Sequence, residues 1–95
     1  MAARRRISGS EAQRLVEAGA ALVDVRTPGE FASGHLPEAV NLPLHELGKR
    51  LSELPEDRAI VVYCRSGARS GRAAGMLKRA GRDVHDLGPQ HAWPS

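Results

Sequence analysis

The sequence predicts an α/β domain in which a mainly parallel sheet lies between layers of helices. Short apolar runs alternate with helical patterns along the chain, and no tight hairpin signal joins two neighbouring runs. The strongest run, at 59–63, is rich in β-branched residues, as is typical of strands buried on both faces of a parallel sheet. With 95 residues, the chain is expected to form one domain over 1–95.

Start and stop signals outline the helices. Ser8 is placed to cap the first helix, with Glu11 to complete a capping box and Gly19 to end it. Thr27 and Pro28 form a similar start signal for a brief second helix. The predicted elements in chain order are a helix over 8–19, a strand over 22–25, a helix over 28–34, a short strand over 39–41, a helix over 44–51, a strand over 59–63, a helix over 69–80 and a strand over 84–87.

The composition excludes several classes of protein. Hydrophobic residues make up 41% and charged residues 26%, which is the balance of an ordinary globular domain. Aromatic residues make up only 3%, too few for a base-stacking surface, so no nucleic-acid partner is expected. No apolar run approaches the roughly 20 residues of a membrane helix, and the basic residues 1–6 lack the apolar stretch of a secretory signal. We therefore expect a cytosolic protein without a membrane partner.

The chain contains one cysteine, Cys64, so an intramolecular disulfide and a multi-cysteine zinc site are both excluded. His45, His85 and His91 show no metal-ligand spacing, and surface or packing roles are expected for them. We accordingly expect neither a metal nor another cofactor. The single thiol is therefore either a packing residue or a reactive group.

Charge is distributed unevenly along the chain. Residues 1–57 carry seven Arg or Lys against nine Asp or Glu, whereas residues 58–95 carry seven against two. All seven bases of the second part lie between Arg58 and Arg82, where no acid occurs, and Cys64 lies inside this stretch. One interpretation is a solvated basic face; the other is a local positive field that attracts a small anion and favours a thiolate.

The order of elements around Cys64 favours the reactive interpretation. The cysteine follows the strongest strand and precedes a loop of small residues and the start of a helix. Ligands of open α/β sheets bind beyond the carboxyl ends of the strands. Successive backbone N–H groups from Ser66 to Ser70, together with the helix start, are expected to form an anion cradle that stabilises a thiolate.

Three segments resemble the single-domain rhodanese family of sulfurtransferases over nearly the whole chain. They are 22–31 (LVDVRTPGEF), 34–43 (GHLPEAVNLP) and 61–70 (VVYCRSGARS), in the family's order. The resemblance implies a rhodanese-like three-layer sandwich with a mainly parallel, five-stranded sheet. It also implies that Cys64 is the catalytic residue and carries a persulfide.

A sulfur-transfer mechanism is consistent with these residues. The Cys64 thiolate would attack the outer sulfur of an anionic donor such as thiosulfate and pass it on to a thiol or cyanide acceptor. A sulfur-relay protein is a further candidate partner. Arg65 and Arg69 would attract the donor and stabilise the departing charge. The expected substrate-binding residues are Arg65, Ser66, Gly67, Ala68, Arg69 and Ser70.

Four residues of the first two segments are candidates for supporting the loop. Asp24, Arg26, Glu30 and His35 would hold it rigid from a neighbouring strand. The alternative is a purely structural role, with an Arg26–Glu30 ion pair and a hydrogen bond from His35 to a helix end. Both roles are those of scaffold residues rather than catalysts.

Two other functions compete with turnover by sulfur transfer. Phosphatases of related fold need five residues between the cysteine and an arginine, whereas four separate Cys64 from Arg69, which disfavours phosphate as substrate. The second competitor is a sulfur carrier without turnover, or a regulatory binding module.

The chain departs from the family pattern near its end. A Gly-Gly pair that usually precedes the terminal tryptophan is missing from 87–93, and Arg82 stands where an apolar residue is common. These departures are expected to affect the packing around the last strand and one wall of the site.

Overall fold

The computed structural model describes residues 6–95; residues 1–5, part of the basic segment judged above not to be a secretory signal, lie outside it. The helices are α1 (Gly9–Glu17), α2 (Pro28–Ala32) and α3 (Ala68–Arg79), and the strands are β1 (Ala21–Asp24), β2 (Val40–Asn41), β3 (Ile60–Cys64) and β4 (Val84–Pro89). Short 3₁₀ turns cover Leu44–Glu46, Leu51–Glu53 and Gln90–Ala92. No described helix is long and apolar enough to cross a membrane.

The sheet is parallel throughout, with the strand order β2-β1-β3-β4. The expectation of five strands is wrong for residues 6–95, where the sheet has four. The chain before α1 adds one isolated bridge between Arg6 and Asp86, with a hydrogen bond of 2.9 Å from the Ile7 amide to the Asp86 carbonyl. Pairing stops there because Ser8 already caps α1.

Each face of the sheet carries its own core, so the predicted three-layer sandwich is confirmed. All five residues of β3 are buried, and alternate side chains enter opposite cores. On one face, Ile60 and Val62 pack with Leu77 of α3. On the other face, Val61 and Tyr63 pack with residues of α1, β4 and the chain end: Ala12, Leu87 and Trp93. Cys64 therefore lies at the end of the strand that both cores hold in place.

The helix start signals work as predicted, with one omission. The Ser8 hydroxyl accepts from the Glu11 amide at 3.1 Å, but the Ser8 amide does not donate to the Glu11 carboxylate in return. Thr27 and Glu30 form a complete capping box at α2. The helix predicted over 44–51 is wrong: two 3₁₀ turns stand there instead. Gly48 lies between them, and glycine disfavours a continuous helix.

Arg82, where the family usually has an apolar residue, is nearly buried and serves as an anchor. Its guanidinium donates to the carbonyls of Leu51, Leu54 and Pro55 at 3.1 to 3.3 Å. These carbonyls belong to the second 3₁₀ turn and the two residues after it. The arginine therefore replaces apolar packing by hydrogen bonds that fix this loop against the end of α3.

Candidate active site

Cys64 ends β3 and points its sulfur into the loop that follows. Its residue surface is 0% exposed. The sulfur accepts hydrogen bonds from the backbone N–H groups of Gly67, at 3.0 Å, and Ser70, at 3.3 Å. Two of the amides expected to form the cradle thus donate to the sulfur: Gly67 directly precedes α3, and Ser70 lies in its first turn. Donors placed this way stabilise negative charge on sulfur.

Two residues of the loop hold its shape. Gly67 has φ of 103°, a left-handed conformation that residues with a Cβ rarely adopt, and its N–H donates to Cys64. The buried Ser70 hydroxyl donates to the Gly67 carbonyl at 3.1 Å. Ser66 and Ala68, by contrast, are exposed, and their amides do not contact the sulfur.

Arg69 forms an ion pair with a carboxylate. Its guanidinium makes two parallel hydrogen bonds to Glu30, at 2.7 and 3.0 Å. The same carboxylate accepts from the Thr27 amide at 3.0 Å as part of the α2 capping box. Arg65 is far more exposed and lies 3.7 Å from Glu30. Glu30 thus ties the cysteine loop to the start of α2.

The Glu30 carboxylate is the titratable link in this arrangement. Hydrogen bonds from Arg69, and next from the Thr27 backbone, lower the pKa of Glu30 from 4.5 to about 2. Because the folded pKa lies below the unfolded one, this group stabilises the fold fully above pH 4.5, and the stabilisation is lost as pH falls towards 2.

We expect Glu30→Gln to destabilise the protein at pH 7 and progressively less as pH falls from about 4.5 towards 2. Urea unfolding at pH 7 and pH 3 measures the difference in unfolding free energy between the variant and the unmodified protein. Glu53→Gln, an exposed carboxylate paired with Arg50, is the control and should have a small effect at both values. A Glu30→Gln penalty that is equal at both values would contradict the assignment.

Asp24, at the end of β1, is the centre of a buried polar network. Its carboxylate accepts from the Arg26 side chain at 2.7 to 3.0 Å and from the Tyr63 hydroxyl at 2.8 Å. The hydrogen bond with Asp24 raises the pKa of Arg26, which also donates to the Gly34 carbonyl at 2.7 Å. The alternative of an Arg26–Glu30 ion pair is wrong, because a fully buried carboxylate two residues away binds Arg26 first.

Tyr63 and Asn41 belong to this network, and sequence reasoning missed both. The Tyr63 hydroxyl accepts from the Leu36 amide at 3.1 Å, and burial raises the pKa of this phenol. Asn41 donates to the carbonyls of Asp24 and Arg26, both at 3.0 Å. A tyrosine directly before the cysteine, on an otherwise aliphatic strand, was the available signal. A buried hydroxyl there needs a partner.

The four histidines lie outside the cysteine loop. His35 stacks on Phe31, and its Nδ1 lies 3.0 Å from the Phe31 carbonyl, which is the expected hydrogen bond to a helix end. His45 and His85 each lie beside an acidic residue, and His91 is exposed. Within residues 6–95, no cluster of three or more metal-ligating side chains is present.

Two open cavities meet beside the loop, and Arg65 and Gln90 line both of them. The first, about 470 Å³, is mostly polar and includes Arg26, Glu30 and Gly34. The second, about 430 Å³, is more apolar and includes Leu36, His91 and Trp93. Polar and apolar groups can therefore approach Arg65, the first residue of the cysteine loop, from two sides.

Comparison with known proteins points to one family. A model of the rhodanese-like domain matches residues 8–88. A protein named sulfurtransferase from Allochromatium vinosum is 49% identical over 75 residues, covering 78% of this chain and 70% of that protein. Thiosulfate sulfurtransferase GlpE of Pseudomonas syringae is 41% identical over 84 residues, covering 87% of this chain and 79% of that protein.

A solved structure shares the fold. The CoADR-RHD protein of Bacillus anthracis superimposes with a TM-score of 0.84 and 37% identity, over 92% of this chain. The match spans only 16% of that protein, so the same domain also occurs within much longer chains. The family model, the sequence relatives and the shared fold show that the chain belongs to the rhodanese-like family of sulfurtransferases.

Proposed function

We propose that the protein is an enzyme that transfers a sulfane sulfur from thiosulfate or a persulfide donor to a thiophilic acceptor through a Cys64 persulfide. The observation that carries the proposal is the Cys64 sulfur, held by the amides of Gly67 and Ser70 at the end of a buried strand. A packing cysteine needs no N–H donors. A sulfur that bears negative charge does.

The transfer takes place in two half-reactions. The Cys64 thiolate attacks the outer sulfur of thiosulfate; a new S–S bond forms, the S–S bond of thiosulfate breaks, and sulfite leaves with the bonding electron pair. An acceptor, cyanide or a thiolate, then attacks the terminal sulfur of the persulfide. The Cys64–S bond breaks and the Cys64 thiolate is restored, so no external oxidant or reductant is consumed.

The surrounding residues bind and hold rather than exchange protons. The two loop amides stabilise the thiolate and then the persulfide, and Gly67 and Ser70 keep them in place. The exposed Arg65 attracts the anionic donor at the junction of the two cavities. Arg69 acts through Glu30 as a positioning residue, because both of its terminal nitrogens are already bonded.

The decisive experiment follows the sulfur atom. After incubation with thiosulfate, we expect the intact mass of the protein to rise by one sulfur atom and cyanide to release that atom as thiocyanate. Alkylation with iodoacetamide is a matched control, since Cys64 is the only cysteine. A protein that gains no sulfur from thiosulfate or from a low-molecular-weight persulfide would contradict the proposal.

A sulfur carrier and a phosphatase are distinguished by the same measurements. A carrier, loaded by a sulfur-relay protein, would gain one sulfur but release thiocyanate at only a trace rate. A phosphatase would release phosphate from an aryl phosphate. The ion pair of Arg69 with Glu30 speaks against a phosphatase, because it offsets the positive charge that a phosphoryl group would need.

A further inference from the structure

Arg6, which lies outside the three family segments, places its side chain against the cysteine loop. A Cβ at Gly88 would overlap the Arg6 Cδ and Nε, and a Cβ at Gly67 would overlap the Arg6 guanidinium. The side chain therefore runs from the outer edge of the sheet across Gly88 and ends on Gly67. Both glycines have positive φ and leave the room that this path needs.

The end point of this path is the residue that holds the sulfur. The Gly67 N–H donates to Cys64 Sγ, and the Gly67 carbonyl accepts from the Ser70 hydroxyl. Because Gly67 is a glycine, no side chain separates its backbone from Arg6. A guanidinium at van der Waals distance from Gly67 thus adds a full positive charge beside the two amides. Arg6 reaches Gly67 from the β4 edge of the sheet, whereas Glu30 follows β1, which pairs with the other edge of β3.

Carboxylates offset the positive charge of the other arginines close to the loop. Arg26 is bonded to Asp24, Arg69 to Glu30, and Arg65 lies within 4 Å of Glu30. Among the described residues, Arg6 has neither a salt bridge nor a side-chain hydrogen bond, and it is exposed. Its N–H groups are therefore available to an anion, and its charge is less offset locally.

The acid that would be expected to compensate Arg6 does not contact it. Asp86 faces Arg6 in register across their bridge, yet the two form no ion pair. The Asp86 residue is 5% exposed, and its Oδ1 has no hydrogen-bond partner among residues 6–95. Arg6 therefore lies against the loop although a carboxylate is close by.

We propose that Arg6 is a specificity-determining residue of the Cys64 site, which selects small anionic reagents such as a sulfonate-bearing sulfur donor over neutral ones. The N–H groups of Arg6 bind the oxygen atoms of the donor while its outer sulfur faces Cys64. This inference rests on the proposed sulfur transfer, and it predicts a charge preference at the thiol that can be measured without any sulfur donor.

The test compares two alkylating reagents of similar size on the whole protein. Iodoacetate is an anion and iodoacetamide is neutral, and both displace iodide to form an S–C bond with Cys64. The ratio of their second-order rate constants at one pH cancels the thiolate fraction and the nucleophilicity. It also cancels any general loosening of the loop, which would change both rates together. The ratio thus reports the local charge alone.

We expect Arg6→Gln to lower the iodoacetate-to-iodoacetamide ratio about 3- to 10-fold, and Arg6→Lys to keep most of it. The effect should shrink as salt is added. Arg79→Gln is the matched control: it removes the same charge from the far end of α3, about 18 Å along the helix from Gly67, and should leave the ratio unchanged.

With thiosulfate as donor, Arg6→Gln should raise KM more than it lowers kcat. An unchanged alkylation ratio in Arg6→Gln would overturn the inference and leave the sulfur-transfer proposal standing. A protein that fails to take up sulfur yet shows the changed ratio would overturn the sulfur-transfer proposal and keep the anion preference of Arg6.

Discussion

Replacing Cys64 by serine is expected to abolish sulfur transfer, with a fall in thiocyanate formation of at least about 1,000-fold. A serine hydroxyl is a weak nucleophile at its ordinary pKa and cannot carry a persulfide. The hydroxyl still accepts from the Gly67 and Ser70 amides, which would otherwise be left without a partner. The loss is therefore one of chemistry, and the folded structure should remain.

Urea unfolding provides the control for this variant. We expect the unfolding free energy of Cys64→Ser to lie within about 1.5 kcal/mol of the unmodified value, since the change is nearly isosteric. Thiocyanate release above a few per cent of the original rate, in a folded variant, would place the nucleophile elsewhere. A stable variant that gains no sulfur from any donor is the expected outcome.

Replacing Asp24 by alanine is expected to cost about 3–5 kcal/mol of stability. The side chain of Arg26 is 6% exposed, so removing its carboxylate leaves a buried charge without a partner. The Tyr63 hydroxyl loses its acceptor in the same substitution. Such a cost is a large fraction of the stability of a small domain, and urea denaturation should show it as a marked fall in the midpoint.

Glu53→Ala is the matched surface control for Asp24→Ala. Glu53 also receives two hydrogen bonds from an arginine, Arg50, but its side chain is 54% exposed. Exposed pairs of this kind contribute about 1 kcal/mol or less. If both variants lost the same stability, the burial of the Asp24–Arg26 pair would not be the cause. A double variant, Asp24→Ala with Arg26→Met, should be more stable than Asp24→Ala alone.

The sequence predicted the parts of the fold that depend on local signals. Apolar periodicity and capping residues located three helices and four strands to within one or two residues, and β3 ends at Cys64, which was predicted to follow the strand directly. The helix over 44–51 failed because leucines at helical spacing also suit two separate 3₁₀ turns packed on the same core. Spacing alone does not distinguish the two.

The sequence did not predict which side chains bond to each other within the site. Glu30 and Arg69 are 39 residues apart, as are Asp24 and Tyr63, so their hydrogen bonds depend on how β1 and β3 are paired. Sequence proximity instead suggested Arg26 for Glu30. The cradle itself was predicted, since an amide run after a strand forms it locally, but which two amides contact the sulfur depends on how the loop turns at Gly67.

The complete burial of Cys64 limits how its sulfur meets other molecules. A disulfide needs the Cα atoms of two cysteines within about 7 Å of each other, and a thiol with no exposed surface keeps a second folded copy farther away than that. Covalent dimerisation through this residue is thereby prevented while the domain stays folded. A reagent of this thiol must therefore be narrow enough to reach a sulfur that lies within the loop.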